Sequence, residues 1–440
     1  MTTRKVTIRF GGVLMMALLA LLAGCNGKKE VQEPVNLKEV AYEAFIYAYP
    51  MMEQVKTING MFTFIGMKPN IVAMNPRYPM DNVGQPIVAP NLTSMTGGLF
   101  IDISAGPVTL EIPEIKDRYN VYQFVDVFTH NFYYLGTRTN GGEAGRFTFY
   151  NKNQPKPDSG ASTPVLMEGD HAILVNRIDI KDRSELDKVR EIQQGIKVVS
   201  APSQVRTYPE YDEEKAYSPA FVEYLNELLT EVPEAEAALF ERFAAIGIMN
   251  KVELSADDLQ KIQAGIDAAF ATIQAESKNL DVGNGYAGAT EIFGTREFLN
   301  GNYLGRAAAA YFGLWGNSKE EANYFMLFTE GEGQIRFAKD ELPPLTEIGF
   351  WSVTVHDENI LVEKNEYDSY VLTMDQMKFE EDGSLIITIS STPQQGNWLF
   401  TPGGSMTILI RAYQADPNKI GSYVPPGFYS SGVGGHIKPS

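Results

Sequence analysis

Histidine is scarce in this chain: of 440 residues only His130, His171, His356 and His436 carry an imidazole. One of them sits in a dense polar stretch, Gln123, Asp126, Thr129, His130, Asn131 and Arg138. An acid beside a histidine orients the ring as a general base, and a guanidinium stabilises developing negative charge. Asp126, His130 and Arg138 are therefore the first candidate catalytic set, with Gln123, Thr129 and Asn131 as candidate ligand-binding residues. The geometry is demanding. On an unbroken strand Asp126 and His130 share a face but lie about 13 Å apart, at roughly 3.3 Å per residue. The pair requires a bulge or turn between Val127 and Thr129, an irregularity commoner beside sites. The competing reading makes Asp126, Asn131 and Arg138 hydrogen-bonding staples at strand ends.

His356 and Asp357 are the alternative catalytic pair, where a strand runs into a turn. Neighbours on a strand point to opposite sides, so a turn-forming aspartate is the stronger reading. Trp351 and Trp398 have the surfaces to stack on sugar rings, but tryptophans in matching sandwich strands belong more often to a core. No histidine pair has the i, i+4 helical or one-apart strand spacing of a simple metal site, and no metal or cofactor is expected. The nucleophile elbow, the P-loop and the dinucleotide fingerprint are all missing from the sequence.

The polar stretch lies among short alternating runs: Gly98–Ser104, Pro107–Ile112, Asn120–Asp126, Phe132–Leu135, Arg146–Tyr150 and His171–Asn176. Strands so closely spaced predict an antiparallel sandwich or barrel. Before them, Ala41, Ala44, Phe45, Ala48 and Tyr49 trace a helical face over about Asn36–Met61, which Pro50 should end or kink. The middle reads as helices. Ser184 with Asp187, Ser218-Pro219 and Ser255 with Asp258 are start signals. Thr295–Leu314 reads as a fourth helix, and Ser318 with Glu321 as the cap of a fifth. Strands return at Gly349–Val355, Tyr370–Met374, Leu385–Ile389 and Met406–Tyr413. Asp382-Gly383 reads as a tight hairpin turn between two of them.

The chain opens with Arg4, Lys5 and Arg9, an apolar run from Val13 to Leu22, and Ala23-Gly24-Cys25. A basic start, an apolar run of about 7–15 residues and small residues at a cut site make a secretory signal. Leu22-Ala23-Gly24-Cys25 matches the bacterial lipobox, in which the cysteine is acylated, palmitate being one such chain, and becomes the new N-terminus. Cys25 is the only cysteine. Its acylation leaves no thiol for a disulfide, a zinc–thiolate site or a nucleophile. Asn26 is not the aspartate that retains lipoproteins in the inner membrane of enteric-type bacteria, so the outer membrane is the expected address. The net charge is −18, and removing residues 1–24 takes away three basic and no acidic residues, leaving −21. So acidic a chain, without a basic stripe, is a poor partner for nucleic acid.

Asp117-Arg118-Tyr119-Asn120-Val121-Tyr122-Gln123, with Asp126, Thr129, Asn131, Gly136 and Thr137-Arg138-Thr139, resembles a bacterial family. So do Gly349-Phe350-Trp351-Ser352-Val353-Thr354, Asn365, Tyr370, Asp382-Gly383-Ser384, Asn397-Trp398, Pro402 and Arg411-Ala412-Tyr413. In that family a domain of unknown function 1254 precedes a domain of unknown function 1214. Asn302-Tyr303-Leu304, Arg306-Ala307 and Glu321-Ala322-Asn323-Tyr324 match its helical approach to the second domain. The resemblance spans about residues 40–426. It implies two β-sandwich-like domains with helices at the junction, frequent envelope or secreted members, and no agreed reaction. One departure is Asn91-Leu92-Thr93-Ser94-Met95-Thr96, which lacks the acid and tyrosine of the family's usual Asn-x-Asp-Thr-x-Tyr element.

The expected architecture is mainly β with a helical middle (α+β): two antiparallel sandwich or jelly-roll-like domains joined by helices. The expected divisions are a signal at 1–24, a tether at 25–36, an N-terminal domain at 37–200, a helical middle at 201–325, a C-terminal β domain at 326–426 and a flexible tail at 427–440. The expected function is an envelope lipoprotein, tied to a bilayer through Cys25, that binds a small molecule or glycan between β-rich lobes. The alternatives are a His/Asp hydrolase with Arg138 as stabiliser, and a structural or assembly lipoprotein.

Overall fold

The computed structural model describes residues 35–85 and 89–430. The signal, Cys25 and most of the tether lie outside them, as does His436. Helix α1 (Leu37–Phe64) starts at Asn36, whose side chain accepts the Glu39 N–H. It does not end at Pro50, one of the two outcomes expected there, but runs through it. α1 is buried along most of its length, from Val40 to Ile58. Packing on several sides outweighs the hydrogen bond that proline removes, since helical stability in proteins comes mostly from tertiary contacts.

The N-terminal lobe contains β1 (Ala73–Met74), β2 (Ser94–Asp102), β3 (Val108–Ile112), β4 (Asn120–Asp126), β5 (Asn131–Gly136), β6 (Gly145–Tyr150), β7 (Thr163–Leu166), β8 (His171–Asp179) and β9 (Lys197–Ser200). They form two sheets, ordered β1-β2-β8-β4-β5 and β7-β6-β3-β9, antiparallel except at β6–β7. Alternation along the strands sends Leu99, Ile101, Phe124 and Leu174 to the core between the sheets, where they meet Val108, Leu110 and Phe149. The opposite residues, Phe100, Val125 and Ile173, pack against the helices. One sheet therefore serves two cores.

The helical layer follows: α2 (Leu186–Gln194), α3 (Glu213–Ala216), α4 (Val222–Leu228), α5 (Ala237–Phe243), α6 (Ala256–Glu276), α7 (Arg296–Leu299) and α8 (Tyr303–Phe312). Ser255 and Asp258 form the expected capping box at α6. α6 lies so close to α1 that a Cβ on Gly265 would sit 2.3 Å from Lys38 O. Ser218 caps the turn that leads into α4, with Pro219 at its first position, as expected; other start signals misled. Asp182, not Ser184, caps the turn leading into α2. Thr295–Leu314 is two helices, broken where Asn300 and Gly301 take positive φ. Ser318 and Glu321 close a turn that enters a strand, not a helix.

The C-terminal lobe holds β10 (Asp281–Gly283), β11 (Tyr286–Gly288), β12 (Ala322–Glu330), β13 (Gly333–Phe337), β14 (Leu345–Asp357), β15 (Val371–Thr373), β16 (Leu385–Ser390), β17 (Asn397–Phe400), β18 (Ser405–Ala415) and β19 (Phe428–Ser430). Its sheets are ordered β10-β11-β12-β18-β14-β15 and β17-β16-β13-β19. Trp351, Val353 and Ile410 pack between them against Ile335, Phe337 and Ile387. Asp382-Gly383 is a turn, but β15 and β16 on either side belong to different sheets and form no hairpin. Phe428–Ser430, expected in the tail, adds an edge strand to β13. The lobes meet where Phe350 stacks on Tyr413 at 4.4 Å and Tyr119 packs against both rings. The described residues from Asn36 onward make one compact unit with its own hydrophobic clusters.

Candidate functional site

At the end of β4 the chain reverses within four residues. Thr129 takes φ +68°, its N–H donates to Asp126 O, and the Asp126 N–H donates to His130 O. Such a backbone is an outlier for a β-branched residue and marks strain. The turn is fastened by Asp126 Oδ1, which accepts the N–H of Phe128 at 2.9 Å and of His130 at 2.8 Å. Asp126 Oδ2 is left facing His130 Nδ1 at 3.4 Å, with both side chains buried. The required irregularity between Val127 and Thr129 is present, and it brings acid and imidazole together.

The Nδ1 contact is too poorly aligned to count as a hydrogen bond, so that nitrogen has no such partner among the described residues. Burial drives the His130 pKa down, with Asp126 opposing. Burial works against ionisation of Asp126, but His130, its backbone N–H and Arg296 hold the carboxyl below its ordinary value. The resting pair at neutral pH is carboxylate and neutral imidazole, the state a general base needs.

The pair lines a cavity of about 440 Å³ with Phe128, Lys152, Glu168 and Arg296. Arg296 lies over the Phe128 ring at 4.7 Å and bridges Glu168 (Nε–Oε2 2.8 Å) and Glu236 (Nη1–Oε1 2.7 Å). Glu236 also accepts the hydroxyls of Tyr47 and Tyr303 at 2.6 and 3.0 Å. Arg306, buried between those two rings, has no hydrogen-bond partner for any guanidinium nitrogen among the described residues.

Arg138 does not join this set. Its Nε donates to Glu321 Oε2 at 2.7 Å, and Glu321 Oε1 also accepts the Tyr119 hydroxyl at 2.9 Å. It is a tie between lobes; the cavity's cations are Arg296 and Lys152. Gln123 and Asn131 are staples too: both amides donate to Gly316 O, and Asn131 reaches Ser318 Oγ at 3.1 Å. Thr129 supplies the turn. His356 and Asp357 form no pair. Asp357 Oδ1 accepts the N–H groups of Asn359 and Leu361 and makes no contact with the His356 ring among the described residues. Burial and then Arg411 push the His356 pKa down to about 3. Trp351 is core, whereas Trp398 is only partly buried and donates to Ser390 Oγ.

Two features escaped the sequence. His171 faces Asp102 at 3.3 Å across β2–β8, stacked on Phe100 and edge-on to Tyr208. Only strand pairing, which places Asp102 opposite His171, would have found it. The other is the lining of the expected cleft between the lobes, a cavity of about 480 Å³ beside α8 that includes Arg177, Phe293, Trp315, Met326 and Arg411. Arg411 was legible only as a family-like residue, and Arg177 carried no signal. Among the described residues no group of three or more His, Cys, Asp or Glu is placed to hold a metal ion. Nor is any described helix long and apolar enough to cross a membrane.

The fold has a solved counterpart. The crystal structure of the VPA0106 protein from Vibrio parahaemolyticus matches with a TM-score of 0.72 at 22% identity, over 90% of this chain and 99% of that one. An uncharacterised protein from Burkholderia cenocepacia gives 0.44 at 14% identity, over 90% and 94%. No curated protein matches the chain in sequence. Residues 69–200 match the family model described as protein of unknown function (DUF1254), and residues 321–417 the one described as protein of unknown function (DUF1214). In order and in content these are the two domains expected from the motifs, and the chain belongs to the family that joins a DUF1254 domain to a C-terminal DUF1214 domain.

Proposed function

We propose that this protein is an exported lipoprotein, anchored through Cys25, that binds a small molecule in the cleft between its two β-rich lobes. The observation that carries the reading is the cleft itself. Its volume of about 480 Å³ falls within the ordinary range for ligand pockets, and its walls are apolar and aromatic with a few polar groups. It is built from both lobes and the segment after α8, so neither domain alone supplies it. The test is a thermal-shift screen of metabolites and glycans on residues 36–440, repeated with Met326→Trp, which fills the cleft. A stabilising compound should lose its effect in the variant. Equal shifts in both proteins would remove the cleft as the site.

The Asp126–His130 contact supports a second reading, ester hydrolysis in the other cavity, with Arg296 in the role first given to Arg138. His130 Nε2 takes a proton from water as the water oxygen bonds to the carbonyl carbon. It returns that proton to the alkoxide as the carbon–oxygen bond breaks. Turnover of para-nitrophenyl esters that survives Asp126→Asn unchanged would end this reading.

A further inference from the structure

The cleft is apolar where Phe293 and Trp315 form it, yet two guanidinium groups also face it, Arg177 from β8 and Arg411 from β18. Both are held by neutral acceptors. Arg177 donates to Gln123 Oε1 at 2.8 Å and to Trp315 O at 3.3 Å. Arg411 donates to Thr354 Oγ1 at 3.2 Å, to Ala89 O at 2.9 Å and to Pro90 O at 3.2 Å. Amides, carbonyls and a hydroxyl satisfy the donors but leave the charge uncompensated. Among the described residues neither arginine forms an ion pair with a carboxylate, whereas Arg138, Arg118 and Arg296 all do.

An uncompensated charge out of water is costly, and two of the same sign in one cavity are costlier. Arg411 is 5% exposed, and burial lowers its pKa, with Tyr413 and Tyr324 opposing and the neighbouring Arg177 charge adding to the fall. The Arg411 charge, after burial, also helps keep His356 neutral. Glu53 is the only carboxylate among the described lining residues. It lies 4.0 Å from Lys56, and burial raises its pKa. A purely structural role would explain the bonds to Ala89, Pro90 and Trp315. It would not explain why the charges converge on a hollow lined by aromatic rings. The planar fork of arginine matches a carboxylate, and a hydrophobic wall beside it matches an apolar tail.

We infer that the ligand of the cleft is an organic carboxylate with an apolar body, its carboxylate on Arg177 and Arg411 and its body against Trp315 and Phe293. The inference rests on the cleft being the binding site, and it names the ligand class. Fluorescence titrations of residues 36–440 test it with two probes, anionic anilinonaphthalene sulfonate and neutral N-phenylnaphthylamine, each in competition with dodecanoate and dodecanol. Dodecanoate should displace the anionic probe and dodecanol should not. Arg177→Gln should weaken dodecanoate by about tenfold, the scale of a hydrogen bond to a charged group, and leave the neutral probe unchanged. Arg177→Lys keeps the charge and should retain most of the affinity, with melting temperatures confirming that both variants fold. If dodecanol competes as well as dodecanoate, or Arg177→Gln leaves dodecanoate unaffected, the ligand class is wrong while the cleft survives. If no probe binds in a manner sensitive to Met326→Trp, the cleft reading falls and takes this inference with it.

Discussion

One carboxyl group fastens a turn and faces an imidazole: Asp126 Oδ1 accepts the His130 N–H at 2.8 Å, while Oδ2 stands 3.4 Å from that residue's Nδ1. The two oxygens can be separated by substitution. Asp126→Ala strands two buried N–H groups and should cost roughly 2–4 kcal/mol. Asp126→Asn keeps an acceptor for the turn, so stability should change little. Any ester turnover should nevertheless fall by about 100-fold or more, the usual weight of a positioned base. Chemical unfolding and turnover measured on both variants check this; equal destabilisation by Ala and Asn would break the division of labour.

Arg138 and Glu321 give the opposite expectation. Glu321 is 1% exposed and Arg138 partly exposed, so removing the arginine leaves a buried carboxylate with only the Tyr119 hydroxyl. Arg138→Ala should cost about 2 kcal/mol, below the full value of a broken buried pair because Arg138 is partly screened. Turnover at the Asp126 cavity should be untouched. A selective loss of turnover with unchanged stability would return Arg138 to the site.

His356 predicts a pH dependence. Its folded pKa is about 3 against an ordinary 6.5. On acidification the unfolded chain takes up a proton near pH 6.5 and the folded chain does not until about 3. This contribution is therefore complete above the unfolded value and drains away as the pH falls toward the folded one. At about 1.4 kcal/mol per pH unit, roughly 2 kcal/mol should be lost between pH 6.5 and 5. His356→Phe should lose correspondingly less over the same interval in denaturant titrations. Identical losses in the two proteins would show that another group is responsible.

The tryptophans should separate by burial. Trp351 is 2% exposed within the C-terminal core, so Trp351→Ala should cost about 3–5 kcal/mol. Trp398 is partly buried with its indole N–H on Ser390. Trp398→Ala should cost about 1–2 kcal/mol, less than an emptied core site. Unfolding midpoints decide the ranking, and a larger loss at Trp398 would reverse it.

Cys25 carries the anchor proposal. Metabolic labelling with a fatty acid should mark the wild type and not Cys25→Ser, and the variant should leave the membrane fraction or remain unprocessed. Several acyl chains hold far more firmly than one, because each buried CH₂ adds about 0.8 kcal/mol. Wild-type protein without label would end the proposal.

Much of the architecture was written locally. Alternation placed β4 at Asn120–Asp126, the capping box placed α6, and the motif spacing named both domains. The turn after Asp126 entered only as a condition of the proposed pair, because two residues four apart on a straight strand cannot touch. Such signals are legible because each rests on residues within a turn or two of one another, where chain geometry fixes who faces whom. What crossed the chain was not legible. Arg138 finds Glu321 across 183 positions, Asp102 finds His171 only because β2 pairs with β8, and Arg177 meets Arg411 only where two lobes close on one cleft. Pro50 stays inside a helix, and Ala322–Glu330 becomes a strand behind a helix-start signal, for the same reason. Local preferences amount to about 1 kcal/mol per residue or less, or roughly 3 for proline. The burial gained by docking a helix or completing a sheet sums over many side chains and overrides them. The sequence by itself determined which segments alternate, cap and turn; tertiary packing decided which charges are paired and which are left facing a cavity.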